Sequence, residues 1–257
     1  MTDIYIFKRV EKKYILDAEK KTLLLSKIEK HLTPDVHGVS TVCSMYLDTP
    51  NFLLIRNSID ADSYKEKLRL RSYGLPSADT KVFFEIKKKF CGTVYKRRIS
   101  MKFCEALDYI NGGELPETGQ IAREIDYAMK LYGSPRVRTT ILCEREAYTA
   151  AFDEVPPDVS RTEVRGAAFE APLRLTFDSA VRYKSESPEE MRDLDGTRLL
   201  PAGVEILEIK TAGAMPLWLS HALDECGIFP QSFSKYGSAF LDMTGKDRLK
   251  KGDGCYV

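Results

Sequence analysis

Residues 67–71 read Lys-Leu-Arg-Leu-Arg, a cation alternating with a leucine. Side chains alternate faces along an extended chain, so Lys67, Arg69 and Arg71 share one face and Leu68 and Leu70 the other. The same parity returns along the chain. Glu85, Lys87 and Lys89 oppose Phe84 and Ile86, and Lys96 shares a face with Arg98. Arg174, Thr176 and Asp178 oppose Leu173, Leu175 and Phe177, while Glu208 and Lys210 oppose Leu207 and Ile209. A period of two excludes helix here and predicts strands with one apolar and one charged face. A solvated face accounts for any one such strand, but Thr, Ser, Asn or Gln would serve solubility equally well. Like charges on neighbouring strands cost a few tenths to about 1 kcal/mol per close pair. Repeating that conflict makes sense if a multivalent anion lies against the charged faces. Without the anion, repulsion among Arg69, Arg71 and Lys87 is expected to weaken the fold.

Strand-like segments cover residues 7–14, 41–48, 66–73, 82–89, 93–101, 138–148, 173–178 and 204–211. Helical spacing covers 17–31, 103–110, 121–131, 215–226 and 236–243. This predicts an α+β chain with a largely antiparallel sheet, whose roughly eight strands would form a closed or nearly closed barrel or tunnel. Its interior would be charged, and helices packed outside would cover the apolar faces. Pro156-Pro157 and the polar stretch 185–190 read as loops, so residues 1–257 are expected to form one domain with a basic tail from about 245.

The chain has 39 basic and 38 acidic residues, a balance that argues against a general nucleic-acid binder. The N-terminus lacks a basic region followed by an apolar run, and no stretch has the length of a membrane span. A cytoplasmic protein is expected, one that would need a membrane-protein partner to act at a membrane. The six cysteines form no C-x-x-C pair, which favours neither a zinc site nor a disulfide framework. No Walker, G-x-S-x-G or H-E-x-x-H motif is present, and His31, His37 and His221 are isolated. The carboxylates on the charged faces, Glu85, Glu208 and Asp178, are candidates to hold a hard divalent cation such as Mn²⁺ or Mg²⁺.

Six short motifs occur in a recognisable order: Glu11-Lys12-Lys13-Tyr14, Tyr46-Leu47-Asp48-Thr49, Lys67 through Gly74, Phe84-Glu85-Ile86-Lys87, Leu207-Glu208-Ile209-Lys210 and Phe233-Ser234-Lys235-Tyr236. Together they resemble the VTC domain, the polyphosphate polymerase domain of vacuolar transporter chaperones, within the triphosphate tunnel metalloenzyme superfamily. The resemblance implies a tunnel in which the γ-phosphate of ATP is transferred to inorganic polyphosphate. It implies that Lys13, Arg69, Arg71, Lys87, Lys96, Arg145, Arg174 and Lys235 are the phosphate-handling cations; strand parity adds Lys67, Lys89 and Lys210 as further substrate-binding candidates. It also implies that Glu208 is the metal-binding carboxylate. Parity alone places most of these on charged faces; Arg145 is the exception, because Ile141, Cys143 and Ala147 share its face. The chain departs from the resemblance at Arg9-Val10-Glu11-Lys12-Lys13, where the superfamily's Glu-x-Glu-x-Lys loses its first Glu. Lys89 stands where the eukaryotic polymerases carry a His, and their regulatory N-terminal domain and membrane helices are not in this chain.

Phosphoryl transfer asks for positioning and charge stabilisation more than for covalent help, so a face of Arg and Lys with a metal suits it. The chain's terminal phosphate is itself an anionic nucleophile. Two other readings remain open: a triphosphatase in which water attacks, and a non-catalytic polyphosphate- or nucleotide-binding module.

Overall fold

Asp17 ends the first strand and starts the first helix, because its carboxylate accepts the Lys20 backbone N–H at 2.8 Å. That strand is β1 (Val10–Asp17), followed by α1 (Ala18–Ile28), β2 (Leu32–Pro34), β3 (Ser40–Asp48) and α2 (Leu53–Asp60). Then come β4 (Tyr64–Tyr73), β5 (Lys81–Phe90), β6 (Thr93–Lys102), α3 (Phe103–Ile110) and α4 (Gln120–Leu131). The long strand β7 (Arg136–Ala150) precedes β8 (Leu173–Lys184), β9 (Thr197–Arg198), β10 (Val204–Thr211), α5 (Leu217–Glu225) and α6 (Lys235–Met243). The computed structural model describes residues 10–36, 38–61, 63–91, 93–150, 173–185, 193–211 and 213–245. Residues 7–9 of the expected first strand, His37, Pro156-Pro157, residues 186–190 and the basic tail beyond Gly245 lie outside the described residues.

Helix α2 was not visible in the sequence pattern, and its cause is remote. The Asp48 carboxylate, fully buried, accepts the N–H groups of Leu54 and Ile55 at 2.9 and 3.0 Å. A carboxylate at this position satisfies first-turn donors and complements the helix dipole.

The sheet runs in the order β1-β10-β8-β7-β3-β4-β5-β6, with β2 beside β7 and β9 beside β8. The pairings resolved in register are antiparallel. The α+β class and the antiparallel sheet match the reading of the sequence. Full closure by hydrogen bonds does not: among the described residues the strand path has two ends, β1 and β6.

The chain forms two compact units interleaved in sequence. Unit 1 comprises 1–40, 144–180 and 201–232, and unit 2 comprises 41–143, 181–200 and 233–257. Each has its own core. In unit 1, Tyr14, Leu175, Phe177, Leu207 and Ile209 pack with Leu24 and Ile28 of α1 and with Leu219 and Leu223 of α5. In unit 2, Met45, Leu68, Leu70, Phe84 and Ile86 pack with Phe103 and Ile110 of α3 and with Ile125 and Met129 of α4. In both, helices cover the apolar strand faces, leaving the charged faces on the other side. Among the described residues no helix is long and apolar enough to cross a membrane.

Candidate functional site

In unit 2 the register turns strand parity into rows. Lys67, Lys87 and Lys96 stand directly opposite one another on β4, β5 and β6. The next row is Tyr46, Arg69, Glu85 and Arg98, and the one after it begins Ser44, Arg71. Lys89 pairs with Lys65 nearer the strand end and is exposed. Directly opposed like charges destabilise a sheet, so three lysines abreast need an anion near them.

Glu85 supplies part of that charge. Its side chain is 1% exposed; Oε2 lies 2.6 Å from Arg69 Nε and Oε1 lies 2.7 Å from Lys96 Nζ. Burial alone would raise the Glu85 carboxyl, but Arg69, Arg71 and Lys96 overcome this and hold it at about 2. Burial pushes Lys96 down to about 8, with Arg69 and Arg71 adding to the effect and Glu85 opposing it. The repulsion expected between Arg69 and its neighbours is thus partly neutralised by a carboxylate the sequence had suggested for a metal. With both oxygens engaged by cations, Glu85 serves here as their counter-charge.

The remaining unit 2 residues fix the ends of this face. Arg71 Nε donates to Ser44 Oγ at 3.3 Å, and Arg69 Nη1 donates to the Tyr46 hydroxyl at 3.3 Å. Burial would raise the Tyr46 hydroxyl, yet Arg69, Arg71 and Lys235 bring it below its ordinary value. The Tyr46 ring stacks on Tyr236 at 4.5 Å, and the Tyr236 hydroxyl donates to Asp48 at 2.8 Å. Ser234 caps α6 and accepts from Lys67 Nζ at 2.9 Å, while Lys235 Nζ lies 3.7 Å from Cys143 Sγ. Tyr46, Ser234 and Tyr236 belonged to quoted motifs, but only their contacts reveal these positions.

Unit 1 collects Lys13, Arg145, Arg174, Glu208 and Lys210. Here opposite charges face each other between β1 and β10. Lys13 stands across from Glu208, which stands across from Thr176; Glu11 stands across from Lys210, which stands across from Arg174. Lys210 Nζ lies 2.9 Å from Glu208 Oε1, and Lys13 Nζ lies 3.5 Å from Glu11 Oε1. Arg174 reaches Asp35 at 3.2 Å. Arg145 forms a two-pronged pair with Asp178, Nε to Oδ1 at 2.6 Å and Nη2 to Oδ2 at 2.7 Å. Asp178 is fully buried and spent on this fork, which takes it out of the set of open metal carboxylates.

Among the described residues no group of three or more His, Cys, Asp or Glu side chains converges on a possible metal ion. A Mg²⁺-type ion does not need one, since it commonly takes one or two carboxylates and shares substrate phosphates. Glu208 fits that use. Glu11 is its diagonal neighbour on β1, and the buried hydroxyl of Thr176, directly across from it, has no hydrogen-bond partner among the described residues.

Both units are thus built of antiparallel strands that carry cations and a few carboxylates on one side, with helices behind the other. The family model described as VTC domain matches residues 8–243, and the chain belongs to the VTC domain family. Among solved structures the chain is similar to a proposed adenylyl cyclase from Hippeastrum, HpAC1, described as having a dominant triphosphatase activity. The two share 15% identity over 93% of this chain and 97% of that one, with a TM-score of 0.48. It is also similar to a proposed adenylate cyclase from Bacillus halodurans, at 12% identity over 96% of each chain and a TM-score of 0.44. No curated protein matches the sequence.

Proposed function

We propose that this chain is a metal-dependent polyphosphate polymerase that transfers the γ-phosphate of ATP to the end of an inorganic polyphosphate. The observation that supports it most is the row Lys67, Lys87 and Lys96 beside Arg69 and Arg71, in a chain of the VTC domain family. A row of cations along adjacent strands suits a linear polyanion better than a single phosphate. In the reaction a terminal oxygen of the acceptor chain forms a bond to the γ-phosphorus. The bond from that phosphorus to the β–γ bridging oxygen breaks, and ADP leaves. Both reactants are anions, so the cations' task is to hold them and to stabilise charge as it moves to ADP.

In this reading Arg69 and Arg71 bind phosphate oxygens through their guanidinium groups, and Lys67, Lys87, Lys89, Lys96 and Lys235 supply compact charge. Lys13, Arg174 and Lys210 take a weaker version of that role in unit 1, where Glu208 faces Lys13 and Glu11 faces Lys210. Arg145, bound to Asp178, offers the rest of its guanidinium. Glu208 would hold Mn²⁺ or Mg²⁺, with Glu11 its nearest acidic neighbour, and the ion would neutralise charge on the phosphate oxygens.

The test is incubation of the purified protein with ATP and Mn²⁺, with and without a short polyphosphate primer, followed by gel analysis. Long polymer together with ADP is expected. Free phosphate without polymer would make the chain a hydrolase. Triphosphate binding with neither product would make it a binding module.

A further inference from the structure

We infer that Glu85 is a positioning residue, a built-in counter-anion that spaces Arg69 and Lys96 for phosphate and keeps the face from gripping the polymer too tightly. The inference rests on the phosphate-binding reading of unit 2 and goes beyond it by giving the carboxylate between Arg69 and Lys96 a task.

Glu85 lies in the middle of the charged rows. Its two oxygens divide between cations on the two flanking strands, Arg69 on β4 and Lys96 on β6. Arg98 stands directly across from it on β6. With its side chain only 1% exposed, the carboxylate holds both cations by short, charge-assisted bonds that fix their separation without a ligand. Arg69 is fixed further by its hydrogen bond to the Tyr46 hydroxyl. Such preorganisation helps only if the cations arrive already oriented at the phosphate oxygens.

The same charge lowers affinity. A carboxylate beside the phosphate path repels the polyanion that the lysine row attracts. A polymerase must bind its chain and then let it advance by one unit per turnover, so a face of uncompensated cations would retain product. Removing the Glu85 charge should therefore move binding and turnover in opposite directions. A brace that merely supports the sheet would move both downward.

The experiment compares the full chain with Glu85→Gln and Glu85→Asp. It measures inorganic triphosphate binding by calorimetry, melting with and without triphosphate, and ATP-dependent polymer formation with Mn²⁺. In Glu85→Gln the triphosphate Kd is expected to tighten by about tenfold, because one repulsive charge is gone. Its kcat is expected to fall by about tenfold or more, as Arg69 and Lys96 lose their fixed spacing. The empty variant should melt lower than wild type, because half-buried Arg69 loses its carboxylate partner, yet gain a larger shift from triphosphate. Glu85→Asp, which keeps the charge, should bring Kd back towards wild type. Weaker triphosphate binding by Glu85→Gln, or unchanged Kd and kcat, would overturn the inference. If wild type binds triphosphate but makes no polymer, only the polymerase reading falls, and the Kd and melting comparison still decides the role of Glu85. If wild type binds no triphosphate, the phosphate reading falls and this inference with it.

Discussion

The charged faces of the two units are built from the same residue types and differ in how opposite strands are matched. In unit 2 three lysines stand abreast, and one buried carboxylate serves Arg69 and Lys96. In unit 1 the charged pairs between β1 and β10 are of opposite sign, Lys13 with Glu208 and Glu11 with Lys210, although Lys210 also faces Arg174 on β8. A checkerboard of opposite charges is stable by itself and leaves little net attraction for a polyanion. A row of like charges is unstable by itself and is relieved by one. On the proposed function this difference would suit the unit 2 face to holding phosphate and Glu208 of unit 1 to presenting a carboxylate for a metal, a reading that can be broken residue by residue.

The largest effect is expected at Glu208. Glu208→Gln should reduce metal-dependent turnover by about a hundredfold or more while leaving the triphosphate Kd within about threefold of wild type. Equal turnover by the variant at saturating Mn²⁺ would end the division of labour between the two faces.

Next in size is the contrast between Lys87 and Lys13. Lys87→Ala should weaken triphosphate binding by about tenfold and flatten its salt dependence, whereas Lys13→Ala, already facing Glu208, should change it by less than about threefold. Titrations at two salt concentrations read both. Equal losses at the two positions would show that register does not separate the faces.

A smaller effect concerns pH. Lys96 loses its proton near pH 8 instead of near its ordinary 10.5. The protonated form attracts triphosphate, so affinity should fall as pH rises through about 8, and Lys96→Arg should flatten that fall. The stability of the empty protein has the opposite sign. Keeping Lys96 protonated in the fold is unfavourable below about pH 8, and that penalty disappears as pH rises towards 10.5. The melting temperature of the empty protein and its affinity for triphosphate should therefore trend in opposite senses over this window, the first rising and the second falling with pH. An unchanged pH profile in Lys96→Arg would locate the titrating group elsewhere.

The smallest effect is expected at Arg145. Lysine cannot reproduce its two-pronged contact with Asp178, so Arg145→Lys should lower the melting temperature by roughly 2–4 °C. Triphosphate binding should change little, because Asp178 already occupies that edge of the guanidinium. A large loss of affinity with unchanged melting would return Arg145 to the phosphate-binding set ahead of its structural role.

Much of this was legible in the sequence, and what was legible was local. Period-two alternation shows the charged face of each strand, because the pleat sends neighbours to opposite sides whatever the strand pairs with. Asp17 reads as a cap because it sits three residues before the N–H it accepts. The pairing of Lys87 with Lys96 also follows locally, since only Cys91 and Gly92 separate β5 from β6. Other features needed the tertiary structure. The pairing of Lys67 with Lys87 lies across a longer connection, and a slip in register would have changed every partner. Asp48 as the cap of α2, Asp178 on Arg145 and Glu85 on two cations are contacts between residues that no sequence period relates. A strand's faces are set by its own backbone geometry. Whether a carboxylate on such a face binds a metal or a neighbouring cation depends on which strand lies beside it.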